Sequence, residues 1–181
     1  MSGMLNALLD INQLEAGNQP ELGDFPIGDL LDRLAAEFSD LATTRGLEWR
    51  YAKCGFGVHS DMRLLEQMLR NLLSNAIRYA DQGKVLLGCR RCGDRLSKEV
   101  WDIGVGIAEE DLSQIFEEYQ RGGDRGESDS PDLSLAIVDR LGQLPGHAVT
   151  VRSRLGKGSV FAIRGLRTST QPNTVLILRL P

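Results

Sequence analysis

The sequence predicts an α+β fold: a two-layer sandwich in which a mixed sheet of about five strands is covered on one face by helices. Three observations lead there. Apolar residues recur at helical spacing in several long segments. Strand-like segments come as hairpin pairs instead of alternating with crossover helices. Hydrophobic residues make up 41% of a 181-residue chain, enough to bury one sizeable core with short appendages.

The elements follow in order. Met4 to Glu15 has helical spacing through Met4, Leu5, Leu8, Leu9, Ile11 and Leu14, and Ala16-Gly17-Asn18-Gln19-Pro20 stops it. Gly23-Asp24-Phe25-Pro26 reads as a turn. Ile27 to Thr44 is an amphipathic helix with Leu30, Leu31, Leu34, Ala35, Phe38 and Leu41 on its apolar side. Leu47, Trp49 and Tyr51 alternate with Glu48 and Arg50, the pattern of a half-buried strand. Ser60 or Asp61 caps a long helix to about Ala80. Lys84 to Arg91 and Leu96 to Asp102 are strands joined at Gly93-Asp94. Ile103 to Ala108 is a glycine-rich loop, Glu109 to Tyr119 a short helix, and Gln120 to Asp129 a loop with three glycines. Leu133 to Leu144 is helical. Ala148 to Ser153 and Ser159 to Arg164 form a hairpin around Leu155-Gly156-Lys157-Gly158. The tail from Gly165 reads as a polar linker, with Val175 to Leu178 as a last strand.

A formal net charge of −4 argues against a nucleic-acid surface or a basic membrane patch. No secretory signal or membrane-spanning run of about 18 apolar residues is expected. Three cysteines, Cys54, Cys89 and Cys92, fit a reducing cytoplasmic compartment better than a disulfide scaffold. Cys89-Arg-Arg-Cys92 has the spacing of half a metal knuckle, but lacks a second pair, so both cysteines are expected in or near a strand.

Chemistry-bearing residues concentrate in two places. On the helix from Asp61, Asn71 and Asn75 lie four apart on one face, with Arg78 and Tyr79 on or beside it. An amide oxygen can ligate Mg²⁺, an arginine can pair with phosphate and a tyrosine ring can line a base pocket. A solvated helix face is the bland alternative. Downstream, Val100-Trp101-Asp102-Ile103-Gly104-Val105-Gly106-Ile107 puts a carboxylate at a strand end before two spaced glycines. Such a carboxylate can accept a hydrogen bond from an exocyclic amine, and glycine lets backbone pass close to a ligand.

Taken in order, these segments resemble the ATP-binding catalytic domain of sensor histidine kinases, within the gyrase–chaperone–histidine kinase–mismatch-repair superfamily and its Bergerat-type fold. The asparagine helix is similar to the family's N-box, WDIGVGI to its first glycine box, IFEEY to its phenylalanine box and GKGSVF to its last glycine box. The resemblance covers about Phe25 to Arg164, and Leu8 to Gly17 resembles the end of the preceding dimerisation hairpin. It implies an organisation of 1–17 as hairpin end, 18–164 as catalytic domain and 165–181 as linker or extra strand.

The resemblance implies ATP and Mg²⁺ as ligands. Asn75 would hold the metal, Asn71 would assist catalytically at the phosphates, and Arg78 would contact phosphate. Tyr79 would lie near the adenine and Asp102 would accept from its amino group. Gly104, Gly106 and Ile107 would line the nucleotide loop, Gly156 and Gly158 would shape the far hairpin, and Gln120 to Asp132 would form the lid. Hydrolases of the superfamily resemble this helix but place glutamate where Asn71 sits. Asn71 cannot take a proton from water, so transfer to another group is favoured over hydrolysis. The implied partners are a histidine-bearing dimerisation domain and a response-regulator receiver domain, with a homodimer in the full-length protein.

Two features depart from the family. His59 and His147 lack its phosphoacceptor context, so both are expected to be structural or surface residues, with the acceptor histidine supplied elsewhere. Ser130-Pro-Asp-Leu-Ser-Leu-Ala-Ile-Val138 stands where the second glycine box, similar to G-x-G-L-G-L-A-I-V, is expected. Ser130, Asp132 and Ser134 replace its glycines, which caps a helix well and suits a phosphate poorly. The alternative reading is therefore a degenerate, non-catalytic module for dimerisation or signalling.

Overall fold

A computed structural model describes residues 19–80, 82–112, 115, 133–143 and 147–168. Its elements are β1 (Gly23–Pro26), α1 (Ile27–Thr44), β2 (Glu48–Tyr51), β3 (Gly57–Ser60) and α2 (Met62–Tyr79). They continue with β4 (Lys84–Cys92), β5 (Arg95–Ile103), α3 (Glu109–Leu112), α4 (Leu133–Gly142), β6 (Ala148–Arg154) and β7 (Gly158–Thr168). The expected helix at Met4 to Glu15, most of 113–119, the lid and the strand at Val175 to Leu178 lie outside the described residues.

The strands form one seven-stranded sheet in the order β1-β3-β7-β5-β4-β2, with β6 also paired to β7. The β2–β4 pair is parallel and the others are antiparallel. This is the expected sandwich with more strands than the expected five. The additions are β1 and β3, four residues each. Gly23 to Pro26, expected as a turn, pairs with Gly57 to Ser60 instead. It has no apolar alternation and ends in proline, which a sheet edge tolerates because no ladder donor is required there. β7 runs on to Thr168, past the expected end at Arg164, because Arg167 and Thr168 pair with β3.

The helices bury one face of this sheet. α1 presents Ile27, Leu30, Leu31, Leu34, Ala35, Phe38 and Ala42 to the core; α2 presents Leu65, Met68, Leu69, Leu72 and Ala76. Alternation along β5 sends Leu96, Lys98, Val100 and Asp102 to the helix face and Ser97, Glu99 and Trp101 to the other. Arg33 with Glu66 and Arg70 with Glu37 tie α1 to α2 outside the core, and Arg70 also pairs with Glu66 within α2.

Asp61 sets where α2 begins. Its Oδ1 accepts from the backbone N–H groups of Arg63 at 3.0 Å and Leu64 at 3.2 Å. Its Oδ2 accepts from the Glu21 N–H at 2.8 Å. One carboxylate thus satisfies helix-end donors and fastens the chain entering β1. Beside it, the Ser60 hydroxyl lies 2.7 Å from Nε2 of His147. His147 is therefore a structural link between β3 and the segment entering β6, as expected, while His59 is an exposed partner of Asp24 at 2.6 Å.

Burial pushes the His147 pKa down to about 4; nearby Lys98 adds to the shift and Asp61 opposes it. The unfolded chain, with histidine near 6.5, binds the extra proton first. His147 therefore destabilises the fold progressively as pH drops from about 6.5 towards 4, by on the order of 2 kcal/mol given its partial exposure. Urea unfolding of wild type and His147→Gln at pH 7.5 and 4.5 checks this. The variant is expected to lose less stability on acidification; an equal loss would show that His147 is not the titrating group.

Candidate functional site

The candidate site is framed by the C-terminal half of α2, the end of β5 with the loop after it, and the β6–β7 turn. Two glycines bring the last two together. At Gly158, φ is +105° and a Cβ would stand 2.0 Å from the Asp102 carbonyl oxygen. At Gly106, φ is +70° and a Cβ would stand 2.2 Å from the Arg154 carbonyl oxygen. Any side chain at either position would separate the loop from the hairpin.

Hydrogen bonds fix the same junction. The Gly156 N–H donates to the Val105 carbonyl at 2.7 Å. The Ile107 N–H donates to the Ser153 hydroxyl at 2.7 Å. The Ser153 hydroxyl lies 3.0 Å from the Gly158 carbonyl and 2.9 Å from the Ser159 hydroxyl. Ser159 in turn donates to the Asp102 carboxylate through its side chain and its backbone N–H. Ser153 and Ser159 received no role from the sequence. The cross-strand pairing Ser153↔Ser159, beside Asp102↔Ser159, is the signal that could have found them, and it exists only once β5, β6 and β7 are in register.

Asp102 is half-buried. Desolvation holds its carboxyl above the usual carboxylate range, while the hydrogen bonds from Ser159 oppose that shift. Gly104 forms the adjacent wall. A Cβ there would reach only ordinary contact: 3.6 Å from Asp102 Oδ1, 3.8 Å from Ala80 Cα and 4.0 Å from the Gln82 carbonyl. The missing side chain leaves an open cradle beside the carboxylate, where the end of α2 meets the end of β5.

On α2, Asn75 is buried at 6% exposure. Asn71, one turn earlier, accepts from Gln67 Nε2 at 3.4 Å through Oδ1, and its Nδ2 is buried without a hydrogen-bond partner among the described residues. Buried amides are rarely left this way unless a ligand or water completes them. Arg78 and Tyr79 are exposed, the guanidinium 5.5 Å from the ring centroid. The structure brings Asp102, Gly104, Gly106, Ile107, Gly156 and Gly158 into one wall. It places the two asparagines on the helix that closes that wall at Ala80, and leaves Arg78 and Tyr79 at the helix's exposed end.

For a cation, Asn75 and Asn71 offer hard amide oxygens. Among the described residues, no group of three or more His, Cys, Asp or Glu could hold a metal. Cys89 and Cys92 are both strand residues of β4, as expected, and all three cysteines are free thiols. Of the lid segment, Ser130 and Asp132 lie outside the described residues; Ser134 is described only as backbone of α4.

Residues 60–168, more than half of the chain, match the family described as histidine kinase-, DNA gyrase B-, and HSP90-like ATPase. The chain belongs to that family. This ATPase-family domain is 33% identical over 186 residues to sensor histidine kinase AruS of Pseudomonas aeruginosa, covering 93% of this chain and 19% of AruS. It is likewise 33% identical over 177 residues to sensor protein TorS of Escherichia coli, again covering 93% and 19%. The chain thus spans about a fifth of these relatives. Among solved structures, full-length ShkA in complex with AMPPNP superposes with a TM-score of 0.79 at 30% identity, over 93% of this chain and 36% of ShkA. The nucleotide-free catalytic domain of histidine kinase ThkA, at 20% identity and TM-score 0.68 over 81% of this chain and 95% of its own, shares the fold.

Ser159 supplies the hydrogen bond that favours the ionised form of Asp102. Ser159→Ala is expected to move the Asp102 carboxyl still higher, read by carboxyl-carbon NMR titration against wild type. An unmoved titration would mean that burial alone sets this group.

Proposed function

We propose that this chain binds ATP with Mg²⁺ and serves as the phosphoryl-donating part of a two-component sensor histidine kinase. The observation that carries the reading is Asp102: a desolvated carboxylate, hydrogen-bonded by Ser159, beside the cradle at Gly104. A carboxylate so placed recognises an exocyclic amine such as that of adenine. The unsatisfied Asn71 amide on the flanking helix fits a second polar ligand group, and ShkA, similar to this chain, has been captured with AMPPNP.

In this reading Asp102 orients the base and Ser159 keeps the carboxylate ionised and aimed. Gly104, Gly106 and Ile107 bring backbone close to the nucleotide, and Gly156 and Gly158 hold the opposite turn. Tyr79 lies by the adenine and Arg78 offsets phosphate charge. Asn75 would hold Mg²⁺ and Asn71 would support the phosphates; when bound, the ion would supply positive charge to offset that of the transferring phosphoryl group. Asn71 also bears on the outcome, because an amide cannot deprotonate water. The phosphoryl group therefore goes to a histidine supplied outside this segment, on a dimerisation domain of the same or another chain, and from there to a receiver domain. A cytoplasmic location and a homodimeric parent belong to the same reading, and the relatives include a sensor histidine kinase and a sensor protein.

Calorimetric titration tests the reading. ATP is expected to bind with Mg²⁺ present, and Asp102→Asn to weaken it by about tenfold or more. Absence of binding at millimolar nucleotide, or unchanged affinity in the variant, overturns the assignment.

The second reading, a non-catalytic signalling module, is favoured by Ser130, Asp132 and Ser134 at the lid's glycine positions. Side chains at such positions would crowd the approach of phosphates, and an aspartate there would add a like charge. Asp132→Gly with Ser134→Gly is expected to raise ATP affinity several-fold in the same titration. Unchanged affinity would mean that this stretch does not limit binding.

A further inference from the structure

On the helix face of the sheet, by Lys98 and further along β5 from Asp102, two cysteines distant in sequence pack against the same core. Cys54 lies in the connection from β2 to β3. That connection is tightly seated: a Cβ on Gly28 would stand 2.4 Å from the Cys54 carbonyl oxygen, and the Ile27 N–H donates to the Phe56 carbonyl at 3.0 Å. Cys89 projects from β4 towards the helices, directly across from Lys98 on β5. The Ala52 N–H donates to the Leu87 carbonyl at 2.9 Å, so the chain leaving β2 runs on beside β4 towards Cys89; both cysteines pack against the hydrophobic core, and each thiol shifts the ionisation of the other. Cys92 is three residues beyond Cys89 on a strand, so its side chain leaves the opposite face. The C-x-x-C spacing in the sequence is thus irrelevant to the pairing; the partner of Cys89 is Cys54.

The surroundings make the two thiols unequal. The neighbouring Cys89 thiol and the Phe56 N–H favour thiolate at Cys54 against its burial, and the Lys98 ammonium adds to this. Burial chiefly, then the Cys54 contact, keeps Cys89 protonated. Lys98 is 1% exposed, and burial brings its pKa down to about 8, so it remains mostly a cation at neutral pH. The other groups facing the pair are few. The Tyr51 phenol, held by Asp32 at 2.7 Å, is pushed to higher pKa, chiefly by burial, and stays neutral. Glu99 lies on the far face of β5, engaged by Arg90, Ser97 and Trp101. One ionisable thiol, one protonated thiol in contact with it and a buried cation form a built redox site.

We propose that Cys54 and Cys89 are a hydroperoxide-oxidised thiol pair that closes an intramolecular disulfide. The Cys54 thiolate attacks one oxygen of the peroxide. The O–O bond breaks, two electrons pass from sulfur to peroxide, and the departing hydroxide leaves as water after taking a proton. The Cys89 sulfur then attacks the Cys54 sulfenic acid. The S–S bond forms, the S–O bond breaks, and the hydroxyl departs with the Cys89 proton as a second water. The sum is two thiols and one peroxide giving one disulfide and two waters. Lys98 is a positioning residue that biases Cys54 towards thiolate.

The experiment treats the reduced chain with hydrogen peroxide, blocks remaining thiols and maps peptides without reduction. A Cys54–Cys89 linked peptide about 2 Da lighter than its reduced halves is expected, reversible with dithiothreitol, with Cys92 fully alkylated. Cys54→Ser should abolish the link and Cys92→Ser should leave it intact. Lys98→Met is expected to slow the reaction by about 3- to 10-fold. If that variant fails to fold, the wild-type pH–rate profile serves, its midpoint expected below that of free cysteine. A link through Cys92, bridges only between chains, a persistent sulfenic acid at Cys54, or a Lys98-independent rate with the midpoint of a free thiol would overturn the proposal.

Discussion

The candidate site depends on one close approach, where the first residue of β7 passes over the last residues of β5. Only a residue without a side chain at Gly158 can sit against the Asp102 carbonyl. That approach lets Ser159 pair across from Asp102 and hydrogen-bond its carboxylate. It also starts the β6–β7 hairpin close enough for Gly156 and Ser153 to grip the loop after β5. Asp102 would otherwise be a desolvated carboxylate with less to hold its charge. The geometry of the wall is therefore a property of strand register, and the asparagine helix closes onto a wall already fixed.

Register also explains how β5 carries two consecutive charges in the interior. Lys98 and Glu99 are 1% and 4% exposed, yet they face opposite sides of the sheet. Glu99 accepts from Arg90 at 2.7 Å, Ser97 at 2.8 Å and Trp101 at 3.1 Å, so its charge is matched by donors. Lys98 faces thiols and the core. Its burial is the less compensated, which is why its pKa drops. A buried charge with weak partners adds little to stability, and such groups are often retained for another use. The thiol pair beside it supplies that use without reference to nucleotide.

Much of this was legible in the sequence, and the reasons differ by element. α1 and α2 were readable because a long apolar stripe has one physical solution. The hairpins β4–β5 and β6–β7 were readable from alternation around glycine turns. β1 and β3 were not, because Gly23 to Pro26 and Gly57 to Ser60 lack the apolar alternation that marked the equally short β2 and draw their stability from the ladder they join. The same holds within the site. Asp102 and the glycines stood out by type and spacing. Ser153, Ser159 and the Cys54–Cys89 contact did not, since each is made by residues whose proximity is decided by pairing across the sheet. Trp101 and Asp102 are neighbours in the motif, but the first serves Glu99 on one face and the second the site on the other.

Two groups in this molecule cost stability where they stand. The Asn71 Nδ2, without a partner among the described residues, forfeits about 1–3 kcal/mol of hydration, and a desolvated Asp102 adds to that. An apolar residue at Asn71 would satisfy the core more cheaply. Asp102 stands at the cradle beside Gly104, and Asn71 stands on the helix whose end meets that cradle at Ala80. The fold tolerates the cost because Leu65, Met68, Leu69 and Leu72 on the same helix are almost fully buried and hold α2 in place independently of its polar face. Core and site are thus separable along one helix. α4 contributes to the same core, with Leu135, Ile137 and Val138 buried.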